Sequence, residues 1–99
     1  MSGFRLTKAA QMDVRGIARH TQKEWGRTQR QHYLHGLQEK FKALLLAPRT
    51  AAERLDFEPP VRIAPYEKHL IVYVIDDAGI LIVRVLHQRM NVPMMMRDF

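Results

Sequence analysis

Two almost unbroken apolar runs, His69 to Ile75 and Ile80 to His87, stand on either side of the turn sequence Asp76-Asp77-Ala78-Gly79. Runs of this length, rich in β-branched residues and separated by acidic and glycine turn residues, predict two long strands joined as a hairpin. Neither run alternates cleanly between apolar and polar residues, so each face of the hairpin must be covered for part of its length. Few segments of a 99-residue chain are free to do this.

The cover for one face is legible upstream. Ala10, Val14, Ile17, Ala18, Thr21 and Trp25 recur at spacings of three and four, with Gln11, Arg15, Arg19 and Lys23 opposite, which predicts an amphipathic helix over 8–25. Thr7 is placed to cap its start and Gly26 to end it. A second helix is expected over 28–47, with Tyr33, Leu34, Leu37, Phe41, Leu44 and Leu45 as its buried stripe and Pro48 past its end. So short a connection predicts an antiparallel helical hairpin. Gly36 in its middle weakens the helix by roughly 1 kcal/mol relative to alanine and marks a close backbone approach.

Phe4 to Thr7 reads as a short N-terminal strand. The stretch from Pro48 to Pro60 reads as a loop, with one helical turn around Ala51 to Leu55. Val61 to Ala64 forms a further short strand that Pro65 closes off. The expected fold class is α+β: an N-terminal strand and a helical hairpin packed on an antiparallel sheet of three strands between 61 and 87. A single domain over 1–99 is expected, with a short polar, methionine-rich tail over 88–99 in which Asn91 caps a final turn.

The longest apolar stretches, Leu70 to Ile75 and Ile80 to Val83, fall far short of the roughly 20 residues that span a bilayer, so no membrane partner is expected. The start Met1-Ser2-Gly3-Phe4-Arg5 leads into Lys8, Gln11 and Asp13 rather than an apolar signal core, which predicts a cytoplasmic protein. The absence of cysteine excludes disulfides, zinc-thiolate sites and thiol catalysis. The net charge of +6 belongs to the first half: residues 1–50 hold ten Lys and Arg against three Asp and Glu, and residues 51–99 hold six against seven. Such a bias favours an acidic partner, nucleic acid or acidic protein segment, and equally suits the solvated face of two amphipathic helices.

Glycine-rich phosphate loops, His-Glu-x-x-His and nucleophile elbows are absent, and no cofactor is expected. His32 and His35 share a helix face with no third ligand near in sequence, so no metal site is assigned to them. The hairpin is more informative. Pairing Ile75 with Ile80 sets Tyr73 opposite Ile82, Ile71 opposite Arg84 and His69 opposite Leu86. That places His69, Tyr73 and Arg84 on one side and His87 on the other. An arginine among isoleucines, flanked by histidine and tyrosine, suits a site that grips a phosphate or moves a proton, and equally an ion pair that staples the sheet.

The ordered residues resemble a known family. Leu6-Thr7-Lys8-Ala9-Ala10, Asp13-Val14, Ile17, Trp25-Gly26, Tyr33, Leu37, Phe41 and Ala47-Pro48 are similar to the N-terminal half of ParE-type toxins of the RelE/ParE superfamily. His69-Leu70-Ile71-Val72-Tyr73, the acidic turn, Ile82-Val83-Arg84-Val85-Leu86-His87 and Met90-Asn91 resemble that family's closing strands. The loop after Pro48 departs from the pattern, with Arg49-Thr50-Ala51-Ala52 in place of glycine, and His20 stands where tyrosine is common.

The resemblance implies a type II toxin held by a cognate ParD-like antitoxin, in a complex that can assemble to higher order. It implies inhibition of DNA gyrase without an enzymatic step of its own; the alternative in the superfamily is a RelE-like endoribonuclease that cuts mRNA in the ribosome. Nuclease members cluster Lys and Arg on the middle strands. Here Arg62 is one such base, Leu70 stands where an arginine is expected, and the last strand keeps Arg84 and His87. Should the chain cut RNA, His87 is the expected general acid or base and Arg84 the phosphate clamp, with Arg62, His69 and Tyr73 as further candidates.

Overall fold

A computed structural model describes residues 3–97; Met1 and Ser2 of the start segment and Asp98 and Phe99 of the tail lie outside the described residues. The elements in chain order are β1 (Gly3–Leu6), α1 (Lys8–Trp25), α2 (Arg27–Leu46), β2 (Glu53–Arg54), β3 (Val61–Tyr66), β4 (His69–Asp76), β5 (Gly79–His87) and α3 (Val92–Met95).

Thr7 caps α1 as its position requires: its Oγ1 accepts from Ala10 N at 3.0 Å. The same hydroxyl donates to Val83 O at 2.7 Å, which ties the start of the helix to β5. Gly26 alone separates the two helices. Its φ of +92° belongs to glycine, and its N–H still closes α1 onto Gln22 O at 2.8 Å. Gly36 answers to the expected close approach, because a Cβ there would collide with the Tyr66 hydroxyl, which donates to Tyr33 O at 3.0 Å. At the far end of α1 the apolar stripe outruns the sheet, and Trp25 is left 71% exposed.

The sheet has five strands in the order β1-β5-β4-β3-β2. β1 lies parallel to β5, with Gly3 opposite Gly79 and Leu6 opposite Ile82, so the sheet is mixed by that one pair. Two sequence expectations give way here. The segment read as a loop with a helical turn holds the short strand β2, in which Glu53 pairs with Arg62 and Arg54 with Val61. Nor does Pro65 end β3, which continues to Tyr66. β2 pairs with only the first two residues of β3, so Pro65 lies where its missing N–H costs no ladder bond on the outer side.

One layer of the core sits between the helices and the sheet, where Ile17, Leu37, Phe41 and Leu44 pack against Ile71, Tyr73, Ile80, Ile82 and Val85. The second face of the sheet carries Val61, Val72, Val83 and Leu86, partly roofed by Val92 and Met96. Asn91 caps that last turn through its Oδ1, which accepts from Met94 N at 3.1 Å.

The register of the hairpin corrects one expectation. Ile75 pairs with Ile80 and Tyr73 with Ile82, as predicted, but Val72 then pairs with Arg84, leaving Val83 as an extra residue. This bulge shifts the alternation of β5 by one position from there on. Ile71 therefore faces Val85 rather than Arg84, and His69 faces His87 rather than Leu86. His87 lies on the same side as His69, not opposite to it.

Candidate functional site

The bulge builds a site. With the alternation shifted, His69 and His87 stand together at the end of the hairpin, their rings edge to face with centroids 5.4 Å apart. They form part of the lining of a cleft of about 910 Å³ between α1, α2 and the ends of β4 and β5. Ile17, Tyr33 and Val85 supply its apolar wall, and Met12, Trp25 and Met90 its exposed rim.

Tyr33, from the apolar stripe of α2, sets the state of His69. Its hydroxyl lies 2.6 Å from His69 Nδ1 and its ring is 5.7 Å from the imidazole. Burial pushes the Tyr33 pKa up to about 12 against the opposing pull of the Lys68 backbone N–H, so the hydroxyl keeps its proton, and the direction of its hydrogen bond with Nδ1 follows the His69 tautomer. Burial, and then the neighbouring His87 and His20, hold the His69 pKa below the ordinary imidazole value, while Asp13 pulls weakly the other way. His69 is thus a neutral, oriented imidazole near neutral pH. The Arg89 backbone N–H donates to His87 Nδ1 at 3.1 Å and fixes the second ring.

The other three residues singled out in the sequence are engaged elsewhere. Arg84 lies against Asp13 of α1, with Nε donating to Oδ2 at 2.8 Å and Nη2 to Oδ1 at 2.9 Å, and its Nη1 donates to Met95 O at 3.1 Å. Asp13 Oδ2 also accepts from Val85 N at 2.9 Å. The Asp13 carboxylate holds the Arg84 pKa above its ordinary value, and the guanidinium is a clasp between α1, β5 and α3. Arg62 donates to Ala51 O at 2.6 Å and pins the loop after α2. Tyr73 is fully buried, and its hydroxyl donates to Pro48 O at 2.7 Å.

Sequence reasoning missed the partners more than the residues. Asp13 lies three residues after Ala10 and four before Ile17, so it was legible as an acid on the buried face of α1 in need of a cation. Tyr33 carried no such signal, because an aromatic in a helical stripe reads as core. His32 lies on the cleft, whereas His35 turns to Glu39 at 3.7 Å, and no group of metal-ligating side chains is found among the described residues.

Chemically, the cleft offers two imidazoles and a tyrosine for donating, accepting or stacking, with Lys68 as a cation in its lining. Arg84 and Arg62, the guanidinium groups that a phosphate would need, are spent on a carboxylate and on backbone carbonyls.

A helical hairpin on a five-stranded mixed sheet, with an apolar-rimmed cleft at one end, defines a small α+β protein. Residues 4–92 match the model of the family described as ParE toxin of type II toxin-antitoxin system, parDE, and the chain belongs to that family. It is 32% identical over 100 residues to "Toxin ParE" of Escherichia coli, covering 99% of this chain and 96% of that protein. It is 33% identical over 92 residues to "Toxin ParE1" of Mycobacterium tuberculosis, covering 92% of this chain and 94% of that one. Among solved structures, a chain of the "Chromosomal ParDE TA system from P. aeruginosa" shares the fold with a TM-score of 0.74 at 21% identity, over 88% of this chain and 96% of that chain.

Proposed function

We propose that this ParE-family toxin acts by inhibiting DNA gyrase through protein–protein contact, and that a ParD-like antitoxin neutralises it. The observation that carries this reading over ribosome-dependent mRNA cleavage is the engagement of Arg84 by Asp13 and Met95 O. Attack by a ribose hydroxyl needs a proton acceptor, a proton donor and cations around the phosphate together. The cleft supplies the first two from His69, His87 and Tyr33, but of cations its lining holds Lys68 alone, while Arg84 is paired with Asp13 and Arg62 with Ala51 O.

The antitoxin segment is acidic and apolar. Its apolar residues occupy the cleft against Trp25, Met12 and Met90, whose exposure beside an apolar groove marks a protein-binding surface. Its carboxylates offset the basic first half of the toxin. The pair acts in the cytoplasm as a single-domain toxin with its antitoxin and assembles to higher order; no helix among the described residues is long and apolar enough to cross a membrane.

Two assays on the purified protein test the target: DNA supercoiling by gyrase, and cutting of mRNA on ribosomes. Inhibited supercoiling with intact mRNA is the expected result. Cleaved mRNA with untouched supercoiling would replace this reading by one in which His87 and His69 move the protons.

A further inference from the structure

The outward face of the helical hairpin carries a group of cations that neither the cleft nor the core uses. Arg15, Arg19 and Lys23 follow one another at spacings of four on α1, about 6 Å apart along the helix axis. Arg30 of α2 closes the group from the side, its Nη1 donating to Gln22 Oε1 at 3.3 Å, and together these residues line a shallow groove of about 560 Å³. None of the four forms an ion pair with a carboxylate among the described residues; Asp13, an acid of α1, is occupied by Arg84.

Two features make this concentration of charge unfavourable for the folded chain alone. Like charges at a spacing of four on a helix repel, and here two such pairs run in series. Arg27 and Arg30 also sit in the first turn of α2, whose dipole is positive at that end and which has no acidic residue there. An anion laid along the ridge relieves both.

We infer that the ridge of Arg15, Arg19, Lys23 and Arg30 is a binding site for the phosphate backbone of duplex DNA. A polypeptide partner needs buried apolar or aromatic anchors, and the residues lining this groove are cations apart from Ala18 and Gln22. A single strand needs aromatic platforms for its bases, and none lines the groove. A backbone read by spaced cations needs neither. The phosphates of B-form DNA border a groove wide enough to admit a helix, whereas the major groove of A-form RNA is too narrow for one. The site lies apart from the cleft, and the inference stands whether or not gyrase is the target.

The test is fluorescence anisotropy of the full-length protein with a labelled duplex of about 20 base pairs across a salt series. Wild type is expected to bind with a log–log salt slope of about −3 to −4, as for three or four phosphates. The triple variant Arg15→Ala, Arg19→Ala, Lys23→Ala should lose at least tenfold in affinity at low salt and flatten the slope by about 3. Its thermal melt reports that the fold is intact, and Arg15→Lys with Arg19→Lys should retain binding because charge alone is read. Substituting the exposed Lys42 and Arg49, which lie outside the groove, should leave binding unchanged. The inference is overturned if wild type fails to bind at low salt or if the triple variant binds as well as wild type. It is equally overturned if an acidic peptide binds the ridge and DNA does not, or if duplex RNA binds as tightly as DNA.

Discussion

Arg84 and Asp13, 71 residues apart, meet in a two-pronged ion pair whose side chains are 20% and 14% exposed. The pair locks the bulged segment of β5 onto the first helix, and the Val85 N–H joins the same carboxylate. Removing one member strands the other in a poorly solvated place. Arg84→Ala is therefore expected to destabilise the fold by about 3 kcal/mol. Adding Asp13→Ala to it should cost less than the sum of the two single changes. Urea unfolding of the four proteins of the cycle measures both quantities; additive losses would mean that the pair is not coupled. A loss of toxicity in Arg84→Ala is accordingly read only beside its stability.

The Tyr73 hydroxyl joins the middle of the sheet to the end of the second helix through Pro48 O. Tyr73→Phe leaves that carbonyl without its partner at a half-buried place and is expected to lower stability by about 1 kcal/mol, with the fold kept. A thermal melt unchanged from wild type would show the bond to be dispensable.

Alanine normally strengthens a helix at the expense of glycine by about 1 kcal/mol. At position 36 the sign should reverse, because the new methyl group displaces Tyr66 from its bond to Tyr33 O. Gly36→Ala is expected to melt below wild type, and by a smaller margin when Tyr66→Phe is already present, since the collision and the lost bond both involve the hydroxyl. A gain in melting temperature for Gly36→Ala alone would contradict the contact.

Acidification should act through His69. Its folded pKa lies below the ordinary 6.5, so between those values the unfolded chain binds a proton that the folded chain does not. Stability is then complete above the unfolded value and declines as the pH falls towards the folded one. Comparing urea midpoints at about pH 7.5 and about pH 5, wild type should lose more than His69→Gln, which has nothing to titrate there. Equal losses would remove His69 as the cause.

Trp25 presents a large apolar surface that contributes little to the toxin's own core. Trp25→Ala should leave the unfolding midpoint within about 0.5 kcal/mol of wild type. It should also weaken the complex with the antitoxin by at least tenfold, as loss of an aromatic anchor does. Titration of the antitoxin by calorimetry, together with a melt of the free toxin, separates the two; unchanged antitoxin affinity would move the antitoxin away from this rim.

What the sequence determined was what depends on neighbours along the chain. The stripes of α1 and α2, the Thr7 and Asn91 caps, the stop at Gly26 and the pairing of Ile75 with Ile80 are all set by residues within a few positions of one another, and each is found where periodicity and turn chemistry put it. The ordered residues from Leu6 to Met90 also carried the family. Tertiary structure decided the rest. One extra residue at Val83 reversed which side of the sheet His87 faces, because side-chain alternation has a period of two and no local signal announces a bulge. Pro65 was absorbed into β3 because the strand beside it is only two residues long, a fact of sheet order. The roles of Arg84, Arg62 and Tyr73 likewise rest on partners 71, 11 and 25 residues away, Asp13, Ala51 and Pro48. In sequence an arginine that grips a phosphate and one that clasps an aspartate look the same, since the difference lies in what the fold brings within hydrogen-bond reach.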